Sequence, residues 1–238
     1  MCVAYARPRS ARRGWGVALG LLRTLRDQES RFSLARRMRW RRFAFFRGLV
    51  GRLPAPLSIL DVGGTQAFWE TMEFVDPSQA RITVLNLDAP PSRHENLSTR
   101  SGNACDLSMF EDGHFDVVFS NSVIEHVGDG TAQRAMAREV RRVGRRYFVQ
   151  TPNRRFPIEP HFLFPYFQYL PLAAQAWLLM HLELSFGGRI GERSVAEATA
   201  RGVRLLSEAE LAALFPGARI HREKVLGLTK SFTAYGGW

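Results

Sequence analysis

The residues best suited to chemistry sit where apolar runs break off. Residues 58–65, Ser-Ile-Leu-Asp-Val-Gly-Gly-Thr, pass from an apolar run into paired glycines. This is the pattern of a buried parallel strand entering a tight turn and then a helix. Without Cβ atoms, Gly63 and Gly64 let backbone N–H groups approach a ligand, and Asp61 sets a carboxylate at the strand's carboxyl end. An ordinary Asp-Gly-Gly turn has the same local pattern, since the full G-x-G-x-x-G spacing is missing and no Lys stands by for a phosphate. A second run at a set distance adds weight. Residues 82–88, Ile-Thr-Val-Leu-Asn-Leu-Asp, are again apolar and closed by an acid, 27 residues beyond Asp61. That is the spacing of one βαβ unit, and Asp88 there can accept from two ribose hydroxyls.

Further on, residues 102–107 (Gly-Asn-Ala-Cys-Asp-Leu) make a small polar loop. Residues 115–121 (Phe-Asp-Val-Val-Phe-Ser-Asn) make another buried strand that runs into Ser-Val-Ile-Glu-His-Val at 122–127. Glu159 and His161 stand two apart in a proline-stiffened loop beyond the strand ends, on the side where open α/β sheets bind ligands. His161 suits a general base or acceptor-orienting role, because imidazole titrates near neutral pH. The other role open to the pair is to hydrogen-bond the loop to the core. Glu125 and His126 have the same two readings, with a satisfied polar pair at a helix start weighing more; His126 is a secondary catalytic candidate.

In their order and spacing, L-D-V-G-G, L-N-L-D, G-N-A-C-D-L, F-D-V-V-F-S-N-S-V-I-E-H-V and a late G-L-T-K-S-F resemble a class I S-adenosylmethionine-dependent methyltransferase of the type 11 and ubiquinone-biosynthesis group, over residues 57–235. The resemblance implies that Asp61, Gly63 and Gly64 hold the methionine part of S-adenosylmethionine and that Asp88 holds its ribose. It further implies that Asn103 with the Ala104 backbone holds the adenine, and that Ser120 and Asn121 lie where the fourth strand opens onto the methyl group. The chain departs from the pattern in two places. Thr65-Gln66 replaces the second half of G-x-G, which lets a side chain reach into the site, and Asn103 replaces the usual Asp, which keeps an acceptor without the charge. In the ubiquinone-type O-methyltransferases the stretch at 122–126 reads E-x-x-E-H and can bind a divalent metal. Here Ser122 takes the first position, and with one carboxylate and one imidazole left no metal site is expected.

The elements that must position these residues can be read from composition and periodicity. The chain has 238 residues and 45% hydrophobic content, enough for one domain with a sizeable core. The thirteen Arg of residues 1–48 face only Asp27 and Glu29, so the whole net charge of +11 lies in the amino-terminal arm. Residues 31–49 interleave arginines with aromatic side chains. The segment is read as a lid or packing helix on the catalytic domain with its arginines in water, ahead of a helix lying on an anionic membrane. Nucleic acid is not the expected partner, since the arm has no modules of an RNA-binding fold. Arg12-Arg13 before a nine-residue apolar run makes a poor export signal, an Arg-rich organellar transit segment stays open, and two cysteines offer no disulfide framework. The expected location is cytoplasmic, with peripheral membrane contact through the arm as a second option.

Helices are expected over residues 65–74 and 131–143, a polar loop over 89–101, and a strand over 146–150 stopped by Pro152. Residues 162–182 carry no formal charge apart from one open to His181, but Pro165 and Pro171 break them, so two short helices capping the site fit better than a membrane span. Ser207 to Glu210 form a capping box opening a helix through Leu214, and two strands meeting at Gly227 close the sheet. The reading is a Rossmann-like, doubly wound seven-stranded sheet with its last strand antiparallel. Residues 1–50 form a basic helical arm and residues 51–238 the methyltransferase domain, with an apolar cap at 153–200. The function expected is methyl transfer from S-adenosylmethionine to a small, apolar or aromatic acceptor. The alternatives are an RNA or protein methyltransferase that uses the arm, and a non-catalytic cofactor-binding scaffold. Nothing in the sequence points to an oligomeric state.

Overall fold

A computed structural model gives the fold for residues 34–159, 161–162, 164–184 and 188–238. The signal-like features read in residues 1–33 lie outside them. Helix α1 (Leu34–Val50) precedes β1 (Leu57–Val62), α2 (Gln66–Thr71), β2 (Ala80–Asn86), β3 (Leu97–Ser101) and β4 (Val117–Asn121). A 3-10 turn (Ile124–His126), α3 (Gly130–Val143) and β5 (Tyr147–Pro152) come next. The cap contributes a second 3-10 turn (Phe167–Tyr169), α4 (Leu172–His181) and α5 (Arg193–Arg201), and the chain ends with α6 (Glu208–Leu214), β6 (Arg219–Val225) and β7 (Leu228–Gly236).

The seven strands run in the order β3-β2-β1-β4-β5-β7-β6, and β7 lies antiparallel to both of its neighbours. This is the doubly wound sheet expected from the sequence. Its strand order reverses between β1 and β4, and ligands bind at such a switch point, outside the carboxyl ends of the strands. On one face α3 buries Met136, Ala137, Val140 and Val143, an amphipathic stripe at helical spacing, together with Leu211 and Phe215 of the α6 region. Asp129 starts α3 by accepting from the backbone N–H groups of Thr131 and Ala132, and Ser207 with Glu210 forms the expected capping box of α6.

The other face is covered by α1 and α2. Phe43, Phe46 and Val50 recur on one side of α1 and share a core with Ile59, Trp69, Phe119 and Phe148. Phe46 stands 4.9 Å from Phe119 and 5.3 Å from Phe148, ring centre to ring centre. The basic helix is thus a packing helix of this layer. Arg37, Arg41 and Arg47 are exposed, whereas Arg42 turns inward.

Three local expectations need correction. Residues 97–101 are not loop but the edge strand β3, paired parallel with β2 from Ile82↔Leu97 to Asn86↔Ser101. Only Leu97 of this strand is buried, so the edge has no alternating apolar signal to read. Helix α2 ends at Thr71 rather than Phe74, because Glu73 takes a left-handed φ of 54°. Pro152 does not stop β5 but occupies its last position, opposite Ser231, where no further ladder donor is needed.

The cap has its own small core of Phe162, Phe167, Ala176, Leu179 and Leu184, closed by Ala196 and Ala200 of α5. Among the described residues no helix is long and apolar enough to cross a membrane.

Candidate active site

The glycine turn is built so that side chains are excluded from it. Gly63 has φ +78°, donates its N–H to the Leu85 carbonyl at 2.7 Å, and a Cβ there would stand 2.6 Å from the Val123 side chain. A Cβ on Gly64 would overlap the Asp61 carboxylate. Gly64→Ala is therefore expected to cost about 2 kcal/mol, the usual scale of overpacking against atoms that cannot retreat. The midpoint of urea unfolding reads this directly, and an unchanged midpoint would show that Asp61 has room to move. The two residues that depart from G-x-G anchor the turn. Thr65 Oγ1 accepts from Phe68 N as the N-cap of α2. Gln66 donates to the carbonyls of Pro90 and Pro91 and accepts from Arg93 N, so it holds the loop after β2 in place.

Two cavities meet at this turn, both lined by Gly64, Thr65 and Ala67. One, of about 250 Å³, reaches Asn86, Asp88, Pro90 and Thr99. The other, of about 300 Å³, reaches Asp61, Gly63, Phe119, Asn121 and, from α1, Arg39. Asp61 is 1% exposed and accepts from Trp69 Nε1 at 2.7 Å. Burial pushes its carboxyl from 3.8 up to about 7, against the lowering pull of the Trp69 hydrogen bond. Deeper in, Arg42 donates to Asn121 Oδ1 at 2.5 Å and Gln150 Oε1 at 3.1 Å, and pairs with Glu223 Oε2 at 2.6 Å.

A second polar cluster forms where the cap meets β4 and β5. His161 Nδ1 lies 2.5 Å from Glu159 Oε1, while Glu159 Oε2 accepts from the backbone N–H groups of His161 and Phe162. His161 Nε2 faces His126 Nε2 at 3.0 Å. Glu125, wholly buried, accepts from Thr151 Oγ1 at 2.9 Å through Oε2, and its Oε1 lies 4.0 Å from His161 Nε2. Burial pushes His126 down to about 4, helped by the charge of His161 and opposed by the Gly202 carbonyl. Burial likewise pushes Glu125 up. Ser122 holds a left-handed φ of 58° and donates to Gln150, so the position that carries an acid in E-x-x-E-H is committed to the sheet.

Residues 60–147 match a family model described as a methyltransferase domain. That segment runs from β1 to the first residue of β5 and holds the glycine turn, Asp88 and the β4 strand end. No curated protein matches the sequence. Among solved structures the fold is similar to the Burkholderia thailandensis 1,6-didemethyltoxoflavin-N1-methyltransferase, with 15% identity, a TM-score of 0.51, and 98% of this chain and 95% of that one covered. It is also similar to the trans-methyltransferase CalH, with 15% identity, a TM-score of 0.52, and 87% of this chain and 60% of that one covered. At these identities the likeness is one of fold.

The structure brings Asp61, Gly63, Gly64 and Asp88 to one cleft and pairs His126 with His161. Ser120 is wholly buried and donates to the Val62 carbonyl, which ties β4 to the end of β1, so its neighbour Asn121 is the residue that lines the cleft. Asn103 and Ala104 do not line the two cavities; Asn103 Oδ1 accepts from Cys105 N within its own tight turn. Sequence reasoning passed over Arg39 and Arg42, whose only local signal was their place in an Arg-rich helix. It also passed over Phe119, which reads as an ordinary core residue.

Proposed function

We propose that this methyltransferase moves the methyl group of S-adenosylmethionine to a small, apolar or aromatic acceptor held under the cap. One observation supports the reading above the others: two cavities meeting at a Cβ-free turn suit an elongated ligand with a nucleoside at one end and an amino acid at the other. Asp88 lies on the nucleoside side, where its carboxylate can accept from ribose hydroxyls. Asp61 and the glycine backbone lie on the amino-acid side. When bound, the cofactor supplies an electrophilic sulfonium methyl.

The chain's own contribution is placement and exclusion of water. The cap borders a half-open cavity of about 160 Å³ lined by Phe162, Phe167, Val203 and Leu205, with Arg154, Glu159 and Gln168 among its polar lining. That size and lining suit a compact acceptor with an apolar body and a few polar groups. A hydroxyl presented to the histidine pair would lose its proton at the paired Nε2 atoms, with Glu159 holding the His161 ring in orientation. A cofactor made inside cells supports a cytoplasmic site of action. The exposed basic face of α1 leaves contact with an anionic membrane within the proposal.

Calorimetric titration with S-adenosylhomocysteine tests the cofactor assignment. Micromolar binding is expected, with Asp88→Ala about tenfold weaker, the scale of one charge-assisted hydrogen bond. Absence of binding by the intact protein would reject the enzyme reading in favour of a scaffold that has kept the fold.

A further inference from the structure

We propose that Glu125, His126 and His161 bind a divalent transition-metal ion of the zinc class. Local sequence supplies only the adjacent Glu125 and His126. The fold adds His161 from the cap loop, 35 residues away, so that one ligand atom from each of the three residues lies within 4.8 Å of the others. The 3.0 Å between the two Nε2 atoms is close to the bite of two nitrogens at about 2.0–2.1 Å from one ion.

Two further observations point to a ligand at that place. The first is an orphan acceptor. Glu125 Oε1 is buried without a hydrogen-bond partner, although Oε2 of the same carboxylate is satisfied by Thr151. An unpaired buried carboxylate oxygen is costly unless something cationic meets it. The second is the way the two rings are held. Glu159 takes the Nδ1–H of His161, and the Gly202 carbonyl accepts from the His126 ring, whose Nε2 faces His161. The two Nε2 atoms therefore face one point, which one shared proton or a metal ion between them would fill.

The surrounding shell suits a metal as well. Glu159 to His161 is the carboxylate–histidine pair that fixes a ligating ring, and Glu159 is itself held by two backbone N–H groups. Two imidazoles and one carboxylate leave a fourth position free for water or another ligand, as in hydrolytic and Lewis-acid sites. With an ion there, an acceptor hydroxyl would be acidified by the Lewis acid, and the two Nε2 atoms would hold the ion in place of taking the proton. The inference stands on these donors alone and does not require that methyl transfer be correct.

The test uses the untagged full chain, stripped with EDTA, dialysed against Zn²⁺ and measured by elemental analysis, with Co²⁺ absorption as a second readout. One equivalent of Zn²⁺ per chain is expected, together with d–d bands of a four- or five-coordinate Co²⁺. Glu125→Gln and His161→Asn, both near-isosteric, should each weaken Zn²⁺ binding at least a hundredfold, and Glu159→Gln ten- to a hundredfold. Thermal melts establish that the variants fold. Substoichiometric Zn²⁺ in the intact chain, or full retention by folded Glu125→Gln and His161→Asn, would overturn the site. S-adenosylhomocysteine binding, measured in parallel, separates failure of this inference from failure of the cofactor assignment.

Discussion

Arg42→Ala is expected to lose roughly 3–4 kcal/mol of stability and to weaken S-adenosylhomocysteine binding, a double effect for a residue outside every recognised motif. Its guanidinium and the Glu223 carboxylate are 10% and 13% exposed and lie 2.6 Å apart. Removing one partner of a pair so poorly solvated leaves the other charge in low dielectric, which costs more than the pair itself gains. Burial pushes the Glu223 carboxyl up, yet Arg42, Ser231 and Lys230 together hold it below its ordinary value. With Arg42 gone that balance reverses, and Glu223 is left with the Ser231 hydroxyl at 2.5 Å and the fields of Lys230 and His221. The same truncation frees Asn121, the cleft residue that Arg42 holds at 2.5 Å, so placement of the amino-acid end of the cofactor should loosen. Chemical denaturation of Arg42→Ala and of Arg42→Ala/Glu223→Gln gives the check, since neutralising Glu223 should recover a substantial part of the loss. A single variant within about 1 kcal/mol of the parent, with unchanged binding, would mean that α1 is held by its aromatic face alone.

Asp61 should make the ligand-free protein less stable as pH rises, the reverse of ordinary acid denaturation. Its carboxyl titrates near 3.8 in the unfolded chain and near 7 in the folded one, so between these values the folded state binds the extra proton. The contribution is fully present below about pH 4, declines as pH rises, and is gone above about pH 7. The span corresponds to roughly 4 kcal/mol. Asp61→Asn keeps an acceptor for Trp69 Nε1 and replaces the protonated oxygen with an amide donor, so it should remove this slope. The variant should match the parent near pH 4 and melt at a higher temperature at pH 8. Parallel stability profiles for the two proteins from pH 4 to 8 would mean that Asp61 is already ionised when buried.

Much of the scaffold was legible in the sequence because burial writes a local pattern. Apolar runs marked β1, β2, β4 and β5. The paired glycines marked the turn, and the closing acids put Asp61 and Asp88 at the strand ends. The Ser207-Glu210 box set the start of α6 to the residue. These features depend on neighbours within a few positions, so residue type and spacing carry them.

What the tertiary structure decided depends on partners far apart in the chain. The sequence placed the arm's arginines in water, yet packing of Phe43 and Phe46 onto the sheet turns Arg42 inward to partners 79, 108 and 181 residues away. Edge strand β3 escaped notice because a strand with one buried residue has no periodicity to read. Ser120 and Asn121 are adjacent, and only the sheet's pleat sends the first into the core and the second into the cleft. The sequence also left Glu125 and His126 as an incomplete ligand set. The cap loop brings His161 to them and a carboxylate oxygen is left without a partner, because long-range packing, unlike helix caps and strand ends, is set by the whole shape of the core and not by any local run of residues.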